Sequence, residues 1–166
     1  ATESELADRG TESYSNLGYA LLGHALETAA DTPYEQLLHE RILKPAGMKE
    51  TYLMTPGSVP DEAPRGLTAA GRTAEPWEME GCSAAAGAIR STAHDMAAFA
   101  TWFMEHGDTS YGWQENDDGK SFWHNGGTYG YSTMLIIDPK ENRAAFANND
   151  SPAGTEDLAE ALFERI

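Results

Sequence analysis

SFWHNGGTYGYSTMLIIDPKENRAAFANN, residues 121–149, holds two runs of period two, Tyr131–Ile137 and Arg143–Asn148, on either side of Asp138-Pro139-Lys140-Glu141-Asn142. Alternation broken by a turn-rich interval predicts an antiparallel hairpin. A second hairpin is expected just upstream, where Tyr111–Gln114 and Ser121–His124 flank Asp117-Asp118-Gly119.

Before residue 108 the period is helical. Leu17, Ala20, Leu21, His24 and Ala25 or Thr28 recur at helix spacing between Asn16 and Ala30, with Leu22 and Leu26 widening the stripe, which predicts a largely buried helix. Thr32-Pro33-Tyr34-Glu35 combines an N-cap hydroxyl, a first-turn proline and a glutamate in capping-box order, so a second helix should run from Pro33 to about Leu43. Lys44-Pro45 stops it, because the residue before proline is pushed out of the helical region. Thr92-Ala93-His94-Asp95 opens a third helix over 93–106, with Met96, Phe99 and Phe103 as its apolar stripe and Gly107 as its end. Thr155 to Ile166 gives a closing helix with Leu158, Leu162 and Ile166 on one face.

Residues 51–90 carry Pro56, Pro60, Pro64 and Pro76 with scattered glycines and little periodicity, so a long irregular segment is expected. Helices, loop, antiparallel strands and a last helix in that order imply an α+β fold, its sheet covered on one face by the last helix. At 166 residues one core is expected: a single domain over 1–166, helical over about 13–107, with the sheet and C-terminal helix over 108–166.

Eleven Lys and Arg face 27 Asp and Glu, a formal charge of −16. That field repels phosphate backbones and no basic stripe offsets it, which argues against nucleic acid as a partner. Cys82 is the sole cysteine, so no intrachain disulfide is available. The start, Ala1-Thr2-Glu3-Ser4-Glu5, is polar with no signal-peptide pattern, and no apolar run reaches membrane length. No metal site is expected: His39-Glu40 is not followed by a second zinc-binding histidine, His24, His94 and His106 lack ligand spacing, and Asn116-Asp117-Asp118-Gly119 lacks the later glutamate of a calcium loop.

Two clusters carry chemistry. Tyr14-Ser15-Asn16 sets a phenol and an amide two residues apart on the lead-in to the first helix, where the phenol can move a proton and the amide can hold a carbonyl. The plain structural alternative is a Ser/Asn helix cap behind a packed tyrosine. His124-Asn125-Gly126-Gly127 closes a strand in a glycine-rich turn, where a backbone N–H, that of Gly127, can donate to a developing oxyanion. The alternative is a β-turn with a surface histidine.

Four separated segments then point one way: Arg9-Gly10-Thr11 before Tyr14, Ile42-Leu43-Lys44-Pro45-Ala46-Gly47-Met48, Ala86-Gly87-Ala88-Ile89-Arg90-Ser91-Thr92-Ala93-His94-Asp95-Met96, and Trp123-His124-Asn125-Gly126-Gly127-Thr128-Tyr129-Gly130-Tyr131. Together they resemble the serine β-lactamase and penicillin-binding-protein superfamily, in its class C β-lactamase, D,D-peptidase and esterase branch. The resemblance implies that Tyr14 passes the proton of a nucleophilic serine to the leaving group and that Asn16 contacts the substrate amide. It places His124 where a Lys-Thr-Gly strand motif has its lysine, makes Gly127 half of an oxyanion hole, and sets Asn125 and Gly126 in the substrate-binding strand. It also implies an amide, lactam or ester acyl substrate, no cofactor, and a secreted or extracytoplasmic setting.

The same resemblance calls for a Ser-x-x-Lys pair upstream of the tyrosine. Residues three before Lys44, Lys49, Lys120 and Lys140 are Arg41, Ala46, Asp117 and Ile137, so these 166 residues hold none. The expectation is an N-terminally incomplete hydrolase domain, inactive by itself, whose strand edges and one apolar face are uncovered. The missing part would come from a longer chain or a complementary N-terminal chain. The alternative is a nucleophile-free binding or assembly domain, alone or as a homo-oligomer.

Only four of the eleven cations are lysines. An acidic, lysine-poor surface predicts salt adaptation, since screening relieves self-repulsion. The midpoint of thermal unfolding is expected to rise with added KCl, and a midpoint that falls with salt would sink this expectation.

Overall fold

The computed structural model describes residues 10–11 and 13–166. Arg9 and the polar start lie outside the described residues. The chain forms α1 (Asn16–Ala30), α2 (Tyr34–Leu38, continuing through a π turn to Leu43), β1 (Tyr52–Leu53), a 3-10 segment (Gly81–Ala86), β2 (Ile89–Arg90), α3 (Ala93–His106), β3 (Gln114–Glu115), β4 (Phe122–Gly127), β5 (Ser132–Asp138), β6 (Arg143–Asn149) and α4 (Glu156–Phe163). The fold is α+β: β3-β4-β5-β6 make one antiparallel sheet, and β1-β2 a small second one.

β5 is the spine of the main sheet. Met134, Leu135, Ile136 and Ile137 are all buried, so β5 is covered on both faces. On one face Met134 and Ile136 meet Ala159 and Phe163 of α4 with Trp123 beside them. On the other, Leu135 and Ile137 meet Ala100, Met96, Phe99 and Phe103 of α3. Burying a side chain of this size stabilises the fold by about 1.5–3 kcal/mol. The sheet is therefore covered on two faces, one more than the sequence pattern suggested.

α4 differs from expectation in which residues it buries. Ala159 and Phe163 face the sheet, whereas Leu158, Leu162 and Ile166 are exposed. Both stripes have i, i+4 spacing, and the pattern alone does not say which one meets β5. α1 departs further. Only Ala20 and Gly23 are buried, and Leu17, Leu21, Leu22 and Leu26 are each about half exposed, at 53, 57, 51 and 47%. Among the described residues the 3-10 segment Gly81–Ala86 lies along one side of α1, and the rest of the stripe is uncovered.

Helix ends follow local chemistry. Thr92 Oγ1 accepts from the Asp95 N–H at 3.2 Å, and α3 runs over 93–106 as the sequence implies. The capping box at Thr32 does not form. Thr32 donates its hydroxyl to the Ala30 carbonyl, and the Tyr34 N–H is instead capped by Glu27 Oε1 of α1 at 2.8 Å. Burial would push the Asp95 carboxyl up, but hydrogen bonds from Thr51, the Glu50 and Lys49 backbone and His94 outweigh it and hold it below the usual carboxylate range. Those bonds, 2.7 Å from both the Glu50 N–H and Thr51 Oγ1, tie α3 to the start of the loop.

The hairpins stand with shifted ends. β3 is only two residues long and Tyr111–Trp113 lie outside it, while β4 continues through Gly127 rather than stopping at His124. The segment 51–90 is irregular, but β1-β2 closes its base, with Tyr52 opposite Arg90 and Leu53 opposite Ile89. Its far part is strapped to the main sheet. The Leu67 N–H donates to the Asp150 carbonyl at 2.6 Å, and Gly66 packs on the Gly130 backbone so closely that an added Cβ would overlap the Gly130 carbonyl oxygen. Arg90 donates to the Pro64 carbonyl and, at 3.0 Å, to the Tyr131 phenol, while that phenol donates to the same carbonyl at 2.5 Å.

The Gly66–Gly130 contact is backbone on backbone, so no rotamer change relieves a larger residue there. Gly66→Ala is expected to cost about 1–3 kcal/mol, lowering Tm by roughly 2–12 °C for a chain of this size. Differential scanning calorimetry reads it, and an unchanged Tm would show that the strap is not packed as described.

Candidate active site

The Tyr14 cluster sits at the mouth of α1. Ser15 is extended, and its Oγ accepts from the Gly18 N–H at 2.9 Å, capping the helix. Asn16 is the first helical residue, and the Tyr14 phenol donates to its Oδ1 at 3.1 Å. Tyr14 and Asn16 are thus brought together on the surface, Tyr14 being 69% exposed.

The second cluster lies along β4. β3 pairs only with Phe122 and Trp123, so among the described residues His124 to Gly127 have no strand neighbour on that side. Directions follow from the turn. The Thr128 N–H donates to the Tyr131 carbonyl at 2.9 Å, toward β5. N–H groups alternate in direction along a strand, so those of Gly126 and His124 also point to β5, and those of Gly127 and Asn125 point to the open edge. A Cβ built on Gly127 would meet nothing within 4 Å, so a planar group has room to lie against it. Gly126 is the tight position, where an added Cβ would stand 2.8 Å from Thr133 Oγ1.

His124 is partly buried, and its Nδ1 lies 2.6 Å from the Asn125 carbonyl oxygen. A carbonyl only accepts, so Nδ1 carries the proton and Nε2 is left as the acceptor of the neutral ring. The Asn125 side chain turns to the other face and donates to Glu156 Oε1 at 3.2 Å. The Glu156 carboxyl is held below its usual range by its own backbone N–H first and by the Asn125 amide second. Asn125 therefore ties β4 to the first turn of α4, with its backbone rather than its side chain on the open edge.

Gly112, just before β3, lies near α1, where an added Cβ would come 3.0 Å from the Tyr19 hydroxyl. Trp113 follows and packs with Phe103 of α3 at 5.0 Å between ring centroids. His124 is opposite Leu135, a residue of the sheet face that α3 covers. No hydrogen bond among the described residues joins the Tyr14 pair to His124.

Two features of the site were not read from the sequence. Trp77, from the irregular segment, stacks on Tyr129 of the β4–β5 turn with centroids 4.9 Å apart and 23° between planes. The Arg90–Tyr131–Pro64 group fixes the same turn, with the guanidinium 5.1 Å above the Tyr131 ring. Tyr129 and Tyr131 were visible beside the glycines, but nothing local in the sequence names their partners across more than 40 residues.

The sequence pattern of the beta-lactamase family matches residues 2–163. The chain belongs to the beta-lactamase family. The D-alanyl-D-alanine-carboxypeptidase/endopeptidase AmpH of Escherichia coli K12 is 38% identical over 91 residues, which are 55% of this chain and 23% of that protein. Among solved structures, a penicillin binding protein from Bacillus halodurans superposes with a TM-score of 0.76 at 16% identity, over 95% of this chain and 57% of the other. A D-amino acid amidase from Ochrobactrum anthropi SV3 superposes with a TM-score of 0.66 at 24% identity, over 87% and 51%. The chain spans little more than half the length of these solved structures and about a quarter of AmpH.

For this beta-lactamase-family domain, the tautomer of His124 is directly measurable. Long-range ¹H–¹⁵N correlation spectra are expected to show neutral His124 protonated at Nδ1 and bare at Nε2. The reverse pattern would remove the Nδ1–Asn125 hydrogen bond from the site.

Proposed function

We propose that this domain carries the proton-transfer and oxyanion half of a serine acyl-transfer site acting on an amide, lactam or ester. The single observation that carries the proposal is the open edge of β4, where the Gly127 N–H points away from β5 and no strand pairs with it among the described residues. Residues 1–166 act as one domain in this reading, and the Ser-x-x-Lys nucleophile comes from a segment outside them.

The serine oxygen attacks the acyl carbon, and the carbonyl electron pair moves onto oxygen, where the Gly127 N–H donates to the developing charge. Tyr14 relays the serine proton to the departing nitrogen or oxygen as the acyl-enzyme forms. Asn16 holds the phenol through its Oδ1 and can offer its NH₂ to a substrate carbonyl. His124, with Nδ1 committed to a backbone carbonyl, presents Nε2 as the acceptor for a substrate or phenol proton. Water then repeats the sequence in reverse to release the acid.

A second reading is favoured by the uncovered leucine stripe of α1, which suits a nucleophile-free domain that binds a partner chain.

A fluorescent penicillin or fluorophosphonate is expected to leave the 166-residue chain unlabelled and to label the native protein that carries the serine segment. In that protein Tyr14→Phe and His124→Ala should each slow acylation by about 10²–10³-fold with the circular dichroism unchanged. A stoichiometric adduct on a serine of the 166 residues, or wild-type acylation by both variants, would overturn the proposal.

A further inference from the structure

One cavity of about 470 Å³ lies beside the candidate site, lined by Thr68, Glu75, Pro76, Trp77, Glu78 and Tyr129. It is an open cleft between the irregular segment and the β4–β5 turn, and its walls hold two kinds of group. Trp77 and Tyr129 form the aromatic wall, stacked at 4.9 Å. Tyr129 is 72% exposed, so the stack occupies only part of its surface. Glu75 and Glu78 form the acidic rim.

The two carboxylates differ. Glu75 is paired with Arg65 at 3.0 Å, and that pair is close to neutral. Among the described residues no Lys, Arg or His pairs with Glu78. The cleft therefore has one uncompensated negative charge beside an exposed aromatic stack, within a chain whose net charge is −16. An aromatic face within about 6 Å and a carboxylate make a binding environment for an organic cation. An anion would meet repulsion from the exposed Glu78 carboxylate, and a neutral apolar group would gain nothing from it.

The cleft is also held at a fixed place relative to the candidate oxyanion donor. Tyr129 is two residues beyond Gly127, so their Cα atoms are at most about 7.6 Å apart. The turn that carries both is clamped by the Gly66–Gly130 backbone contact and by Ala74, whose Cβ would stand 2.8 Å from a Cβ on Gly130. The Ala74 N–H in turn donates to the Gly66 carbonyl at 2.8 Å, fixing the stretch that leads to Trp77. The stretch leading to the wall of the cleft is thus tied by direct contacts to the turn that follows β4.

We propose that the Trp77–Tyr129–Glu78 cleft is a subsite for an ammonium group carried by the acyl substrate. The inference rests on the acyl-transfer reading above and names the class of its substrate: amides or esters bearing a primary ammonium one residue's length from the scissile carbonyl. The ammonium sits over the aromatic stack with Glu78 as its counter-ion, and the carbonyl reaches the Gly127 N–H.

Isothermal titration of the 166-residue chain with D-phenylalaninamide and with N-acetyl-D-phenylalaninamide tests it, since the pair differs in the presence of the ammonium. The charged ligand is expected to bind about tenfold more tightly at low salt, and raising KCl should weaken it but not the acetylated one. Glu78→Gln and Trp77→Leu should each cut the preference at least threefold, with Glu78→Asp retaining most of it. Both side chains are exposed, and unchanged circular dichroism certifies the fold. Equal affinity for the two ligands, or binding of neither, overturns the subsite, as does a preference that survives both Glu78→Gln and Trp77→Leu. The two proposals fail separately. Preference for the cation without acylation of the native protein sinks only the acyl-transfer reading, and acylation without the preference sinks only the subsite.

Discussion

β5 is buried on both faces, and the rest of the main sheet and the two helices that cover it answer to that constraint. A strand with Met134, Leu135, Ile136 and Ile137 all shielded needs a cover on each side, which α3 and α4 supply. It also needs hydrogen-bonding neighbours along both edges, which β4 and β6 supply over nearly its whole length. β4, one step from this spine, is held firmly on its inner side and left half free on its outer side, because β3 reaches no further than Trp123. The candidate active site is the place where that rigid support runs out of partners.

The irregular segment is organised by the same logic. It has little periodicity, yet its base is closed by β1-β2, its middle is bonded to Asp150, and Gly66 is pressed on Gly130. A loop anchored at its base and again at Gly66-Leu67 behaves as a wall rather than as a flap. Its aromatic and acidic residues can then hold a position relative to β4 that a free loop could not keep.

Where local chemistry decides structure, the sequence was legible. Thr92 and Gly107 bracket α3 as expected, and the alternation in 131–148 marks β5 and β6 to within one residue. Tertiary contacts decided the rest. Glu27 caps α2 from a neighbouring helix, so Thr32 is not used, and α4 meets the sheet through Ala159 and Phe163 although Leu158 and Leu162 have the same spacing. The candidate site divides the same way. Tyr14 with Asn16, and His124 with the glycines, are neighbours in sequence and are found together, whereas the Trp77–Tyr129 stack depends on a long-range contact that no local pattern encodes.

An outer strand edge left open for a small molecule is equally a template on which a second strand can pair, and β4 offers such a template at His124 to Gly127. Four more apolar side chains stand half exposed on α1. Sixteen net negative charges on 166 residues set a long-range repulsion between copies against both sticky surfaces. In this molecule the acidic coat acts as a colloidal stabiliser, and its screening by salt trades intramolecular relief for intermolecular contact.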